Sequence, residues 1–110
     1  MSYTYVLHEY AQQDYESSFQ WYLERSLPAA ENFVAAVDDT LKLICDNPSR
    51  WRNQYKNYYE LNLKKYPFAI VYSIEPDKEL IVVIAIYHHK RNPKKKFRRI
   101  RASAPNPKKI

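Results

Sequence analysis

The segment "PFAIVYSIEPDKELIVVIAIYHH", residues 67–89, contains two β-branched, apolar runs joined by a polar link. Pro67 stands where a strand begins, a position that tolerates its missing N–H. The link "EPDKE", residues 75–79, is turn material. The run after it, "LIVVIAIYHH", is apolar at successive positions, so both of its faces are expected to be buried in a central strand. Just upstream, "NYYELNL", residues 57–63, alternates in the manner of a half-buried strand. Tyr59, Leu61 and Leu63 share an inward face, and Tyr58, Glu60 and Asn62 share the other. The second half of the chain is therefore predicted to be three consecutive strands.

Toward the N-terminus, residues 3–8, "YTYVLH", are aromatic and β-branched and predict a first strand. From Glu9 the period changes to 3.6: Ala11, Tyr15, Phe19 and Tyr22 recur on one helical face, with Asp14 and Glu16 early and Arg25 at the end, as suits the helix dipole. "SLP" interrupts, Ser26 being a cap and Pro28 fitting a first turn. A second helix follows with a buried stripe of Ala30, Phe33, Val37, Leu41 and Ile44, and "DNP" at 46–48 stops it. Two helices with a short link form an antiparallel hairpin. The predicted class is α+β: an N-terminal strand, the hairpin, then a three-stranded antiparallel sheet with the helices on one face. The other face, carrying Tyr58, Glu60 and Asn62, is expected to be open. The chain has no glycine, so turns are expected to use Asn, Asp, Pro and Ser.

With 110 residues the chain is the size of one domain. No apolar run approaches the roughly 20 residues that span a bilayer, and the N-terminus lacks signal-peptide features, so a cytoplasmic location is expected. Cys45, the one cysteine, falls on the buried stripe and is expected to be a packed thiol. Residues 90–110 hold ten of the 18 Lys and Arg and no Asp or Glu. The preceding body has eight cations against twelve carboxylates, a net of −4. Such a basic block attracts phosphate or acidic protein, while "ASAPNPKKI" at the end is expected to be disordered. The predicted division is a folded domain over 1–97 and a basic tail over 98–110.

"WY" late in the first helix, "P" after the second, "YPFAIVYSI", and "AIYHHKRNP" with Phe97 beyond it resemble the RelE/ParE toxin superfamily of bacterial toxin–antitoxin pairs. The resemblance covers residues 3 to about 97. It implies a toxin neutralised by a cognate antitoxin, often in a plasmid-stabilisation setting, with no cofactor. Two functions live on this fold. RelE-like members are ribosome-dependent ribonucleases that cut mRNA, a reaction that needs a base, an acid and cations for the charge on phosphorus. On that branch the strand cations fall at Glu60, Asn62 and Ala69 of this chain, so all three are absent. ParE-like members poison DNA gyrase by binding it.

The sequence is closer to the ParE branch by its "YPF", its "HHKRNP" and the missing cations, which leans the expectation away from an enzyme. His88 and His89 are the catalytic candidates for the ribonuclease alternative. As neighbours on a strand they face opposite sides and cannot share one site or a metal. The target-binding candidates are Arg91, Lys94, Lys95, Lys96, Arg98 and Arg99, with Arg91 suited to a bidentate contact. A third reading is a small basic nucleic-acid-binding module, in which Phe97 stacks on a base.

Overall fold

The structure, a computed structural model, describes residues 3–89. The elements are β1 (Thr4–Leu7), α1 (Glu9–Leu23), α2 (Leu27–Asp46), β2 (Arg52–Tyr55), β3 (Tyr58–Asn62), β4 (Phe68–Glu75) and β5 (Leu80–His88). Single 3-10 turns at Pro48–Arg50 and Pro76–Lys78 complete them. The α+β class is as expected, but the sheet has five strands, in the order β1-β5-β4-β3-β2. β1 runs parallel to β5, and every other pair is antiparallel. β5 is internal and β4 takes the middle place.

β2 is absent from the expected strands because it is an edge strand. Arg52 and Asn53 are exposed, and a strand wet on one side needs no apolar alternation to pair. The turn after it also departs from expectation. Lys56 and Glu79 take left-handed backbone, with φ of 51° and 49°, where Asn, Asp or Gly is usual. At the first, the Asn53 side-chain amide donates to the Lys56 carbonyl at 2.6 Å and holds the turn closed.

The helical hairpin covers one sheet face. On α2, Ala30, Phe33, Val37, Leu41 and Ile44 are all buried, Ser26 Oγ accepts the Ala29 N–H at 3.1 Å, and the helix ends at Asn47 before Pro48. Phe33 meets Tyr22 and Phe68 with ring centroids 5.1 and 5.3 Å away, and burying such a ring stabilises by about 2–3 kcal/mol. Cys45 is buried beside this stripe, and burial pushes its thiol pKa up, as suits a packed, unreactive group.

On α1, Ala11 and Ser18 are the buried residues, while Tyr15, Phe19 and Tyr22 are half-buried at the rim. The charges expected to complement the α1 dipole do other work. Asp14 Oδ2 accepts the Ile86 N–H at 3.0 Å, closing a backbone donor of β5 beyond the end of short β1. Arg25 lies past the helix, donating to the Trp21 carbonyl at 2.9 Å with its guanidinium 3.3 Å from the centre of the Trp21 ring. Among the described residues no helix is long and apolar enough to cross a membrane.

Candidate functional site

The face away from the helices is organised by a slip in the β4–β5 pairing. Val71 pairs with Ala85, yet Tyr72 pairs with Val83, so Ile84 is the extra residue of a bulge. Before the bulge Ile81 and Val83 pack in the main core, and after it Ile86 does. Ile84 and Ala85 turn to the opposite face, where they cluster with Tyr58 and Val71. The inversion sets every residue that follows: Ile86 and His88 look toward the helices, Tyr87 and His89 away from them.

Tyr87 and His89 then reach over β4 to β3. In register, Asn62 of β3, Ala69 of β4 and Tyr87 of β5 form one row. Ala69 offers only a methyl group, so longer side chains can lean across it. The Tyr87 hydroxyl lies 3.3 Å from each carboxylate oxygen of Glu60 and donates to them. His89 Nε2 lies 3.2 Å from Asn62 Oδ1. The His89 N–H donates to the Pro67 carbonyl at 2.8 Å, which fixes where the chain leaves the sheet.

His88 is elsewhere. Its ring meets Phe68 at 5.1 Å between centroids, and Phe68 belongs to the helix-side core. The two histidines thus diverge as strand geometry predicts. Among the described residues no three of His, Cys, Asp and Glu gather where they could hold a metal ion.

The alternation expected for β3 holds, with Tyr59, Leu61 and Leu63 on the helix-side core. The expected openness of the other face does not. Tyr58 and Glu60 are buried, and only Asn62 is exposed. Arg91, Lys94, Lys95, Lys96, Arg98 and Arg99 lie outside the described residues, as do the domain limit at 97 and the tail 98–110. Tyr87 is the site residue that sequence reasoning missed. Its signal was its two-residue spacing from His89, but that spacing assigns a face only once the bulge is known.

Chemically, the site is a carboxylate held by a phenol, beside an amide in contact with an imidazole. It offers acceptors more than cations. A phosphodiester would meet Glu60 with like charge, whereas a cation or a hydrogen-bond donor would be welcomed.

A helical hairpin on one face of a mixed five-stranded sheet is the architecture of the RelE/ParE toxins. The sequence matches the family described as "ParE toxin of type II toxin-antitoxin system, parDE" over residues 5–93, and the chain belongs to that family. No curated protein matches in sequence. Among solved structures, the chain is similar to one of the chromosomal ParDE toxin–antitoxin system of P. aeruginosa. The TM-score is 0.66 at 16% identity, over 80% of this chain and 96% of that one. A free-state mutant of E. coli RelE gives a TM-score of 0.60 at 12% identity, over 94% and 100%. The toxin–antitoxin complex RelBE2 of Mycobacterium tuberculosis gives 0.55 at 14% identity, over 80% and 99%. At such identities these likenesses speak for the fold alone.

Proposed function

We propose that this toxin acts by binding and poisoning DNA gyrase, without chemistry of its own, and that a cognate antitoxin encoded beside it holds it inactive. One observation carries the reading. The sheet face that in RelE-like ribonucleases gathers cations has a buried carboxylate at Glu60, an amide at Asn62 and a methyl at Ala69. Charge building on a phosphate oxygen meets no cation at these three positions. Binding then falls to the basic segment from Arg91 to Arg99, whose cations attract an acidic surface or DNA phosphate. The same cations suit an acidic antitoxin segment that orders as it binds.

Two assays on the purified protein decide the target. Inhibition of gyrase supercoiling, or trapping of cleaved DNA, with no ribosome-dependent cuts in a primer-extension assay, is the expected result. Cuts abolished by His89→Ala, with gyrase unaffected, would overturn it. The second reading, a ribonuclease, draws on the placement of Tyr87, His89 and Glu60 on one face, where the Tyr87 hydroxyl meets Glu60 and the Tyr87 and His89 ring centroids are 6.1 Å apart.

A further inference from the structure

Charge on the body is sorted by place. Residues 47–74 hold five of the eight cations that precede residue 90, namely Arg50, Arg52, Lys56, Lys64 and Lys65, against one carboxylate, Glu60. The other three cations stand among eleven carboxylates, so the rest of the body is −8 while this stretch is +4. Glu60 is buried, and Arg50, Arg52, Lys64 and Lys65 are exposed. Among the described residues none of these four has a carboxylate partner, whereas Lys42 and Lys78 are paired with Asp38 and Glu75. Exposed like charges repel one another, so such a cluster costs free energy until an anion meets it.

The fold gathers these four cations at one end of the sheet. β2 runs antiparallel to β3 with Arg52 opposite Glu60, so Arg50 and Trp51, just before β2, lie toward the Asn62 end of β3. The loop that leaves this end for β4 carries Lys64 and Lys65. Two aromatic rings stand among them. The Arg50 guanidinium lies 4.8 Å from the centre of the Trp51 ring, whose Nε1–H donates to the Leu43 carbonyl at 3.4 Å. Leu43 in turn lines a groove of about 680 Å³ between α2 and the loop, together with Ala36, Asn62, Lys64, Lys65 and Tyr66. Ala36 and Leu43 supply apolar surface, and Asp39 on the α2 wall keeps an anion to the lysine side.

We propose that this end of the body binds single-stranded nucleic acid, with phosphates on Arg50, Arg52, Lys64 and Lys65 and bases against Trp51 and Tyr66. Cations that track a backbone beside rings that take a stacked base are what such a strand needs. A duplex keeps its bases stacked inside and leaves the rings unused, and an acidic protein segment has no flat base to lay on them. The phosphate that Glu60 would repel on the sheet face is received at the sheet's edge instead. Free nucleic acid suffices for this contact, so the inference stands apart from the choice between gyrase and ribosome.

Fluorescence anisotropy of the full chain with labelled oligothymidylate and oligouridylate tests it, the two arms separating DNA from RNA as the source of the strand. Lys64→Gln with Lys65→Gln, and Arg50→Gln with Arg52→Gln, are each expected to weaken binding at least about fivefold near 0.1 M salt. Each pair should also flatten the slope of log affinity against log salt by about 1.4, the share of two phosphates. Arg25→Gln with Lys78→Gln removes the same charge elsewhere and is expected to cost less than about twofold, since distant exposed charges are screened. The unaltered chain gives an independent readout through its two tryptophans. On saturation with oligothymidylate the Trp51 indole N–H resonance is expected to shift, while that of Trp21, exposed near the end of α1, stays. Patch pairs that weaken binding no more than the control, that weaken a duplex equally, or a Trp51 resonance that does not move would overturn the proposal. Pairs that lose a labelled poly-glutamate while holding the single strand would do the same, by assigning the surface to an acidic protein.

Discussion

On its helix side the sheet meets Phe33, Val37, Leu41 and Ile44, and packs them against Ile70, Tyr72, Ile81 and Val83 in one continuous core. On its other side it carries a smaller cluster of Tyr58, Val71, Ile84 and Ala85, bordered by the Glu60–Tyr87 and Asn62–His89 contacts. Both faces are apolar at their centres, but only one is made by elements that sequence periodicity announces. The helix side has the layered construction of a stable domain, in which cooperative packing supplies most of the folding free energy. The opposite side places acceptors and rings near the end of β5. Substitutions on the two faces should therefore differ in what they cost.

The largest effect is expected at the centre of the helix-side core. Phe33→Ala removes a fully buried ring touching Tyr22, Tyr66 and Phe68, at a cost of about 3–5 kcal/mol in urea unfolding. A loss below about 1 kcal/mol would mean that the hairpin packs more loosely than its contacts suggest.

Next comes Tyr72, also on the helix side, whose buried hydroxyl donates to the Pro48 carbonyl at 2.6 Å. Tyr72→Phe is expected to cost about 1–2 kcal/mol, since it leaves that carbonyl without its donor. The same hydroxyl predicts a pH dependence. Burial raises its pKa well above the ordinary tyrosine value near 10. The unfolded chain therefore loses this proton first, and the stability present below pH 10 declines as pH rises toward the folded value. Equilibrium unfolding measured between pH 9 and 11 should show that decline in the native chain and a shallower one in Tyr72→Phe.

The histidines sharpen the contrast at a single strand end. His88→Ala, which loses the ring contact with Phe68, is expected to destabilise by about 1 kcal/mol. His89→Ala, exposed on the other face, is expected to change unfolding by less than about 0.5 kcal/mol. Equal losses would mean that the bulge does not separate the two rings as described. Tyr87→Phe is expected to have a similarly small effect on stability, below about 0.5 kcal/mol, because its contacts with Glu60 are long. Its effect should appear instead as weaker target inhibition, read in the same assay that identifies the target.

Much of this was legible beforehand. The α2 stripe, the Ser26 cap and the stop at Asn47 follow from spacing and local backbone chemistry, and they stand where they were expected. The alternation of β3 did too, since Tyr59 and Leu61 face the helices. β2 escaped because an edge strand made of polar residues carries no periodic signal. The roles of Asp14 and Arg25 escaped because a charge near a helix end can serve the dipole or a tertiary partner, and spacing does not distinguish them.

The sequence by itself determined the class of the fold, the hairpin, the inward face of β3 and the resemblance to the RelE/ParE toxins, all of which rest on local period and short motifs. Tertiary structure alone decided the parallel pairing of β1 with β5 and, separately, the placement of Ile84 as a bulge. "LIVVIAI" is apolar on both faces, so no pattern within it marks which residue is extra. The choice is made by its pairing with β4, where one inserted residue turns Tyr87 and His89 toward Glu60 and Asn62 and His88 toward the core. Side-chain direction along a strand has a period of two, and any one-residue slip inverts all that follows.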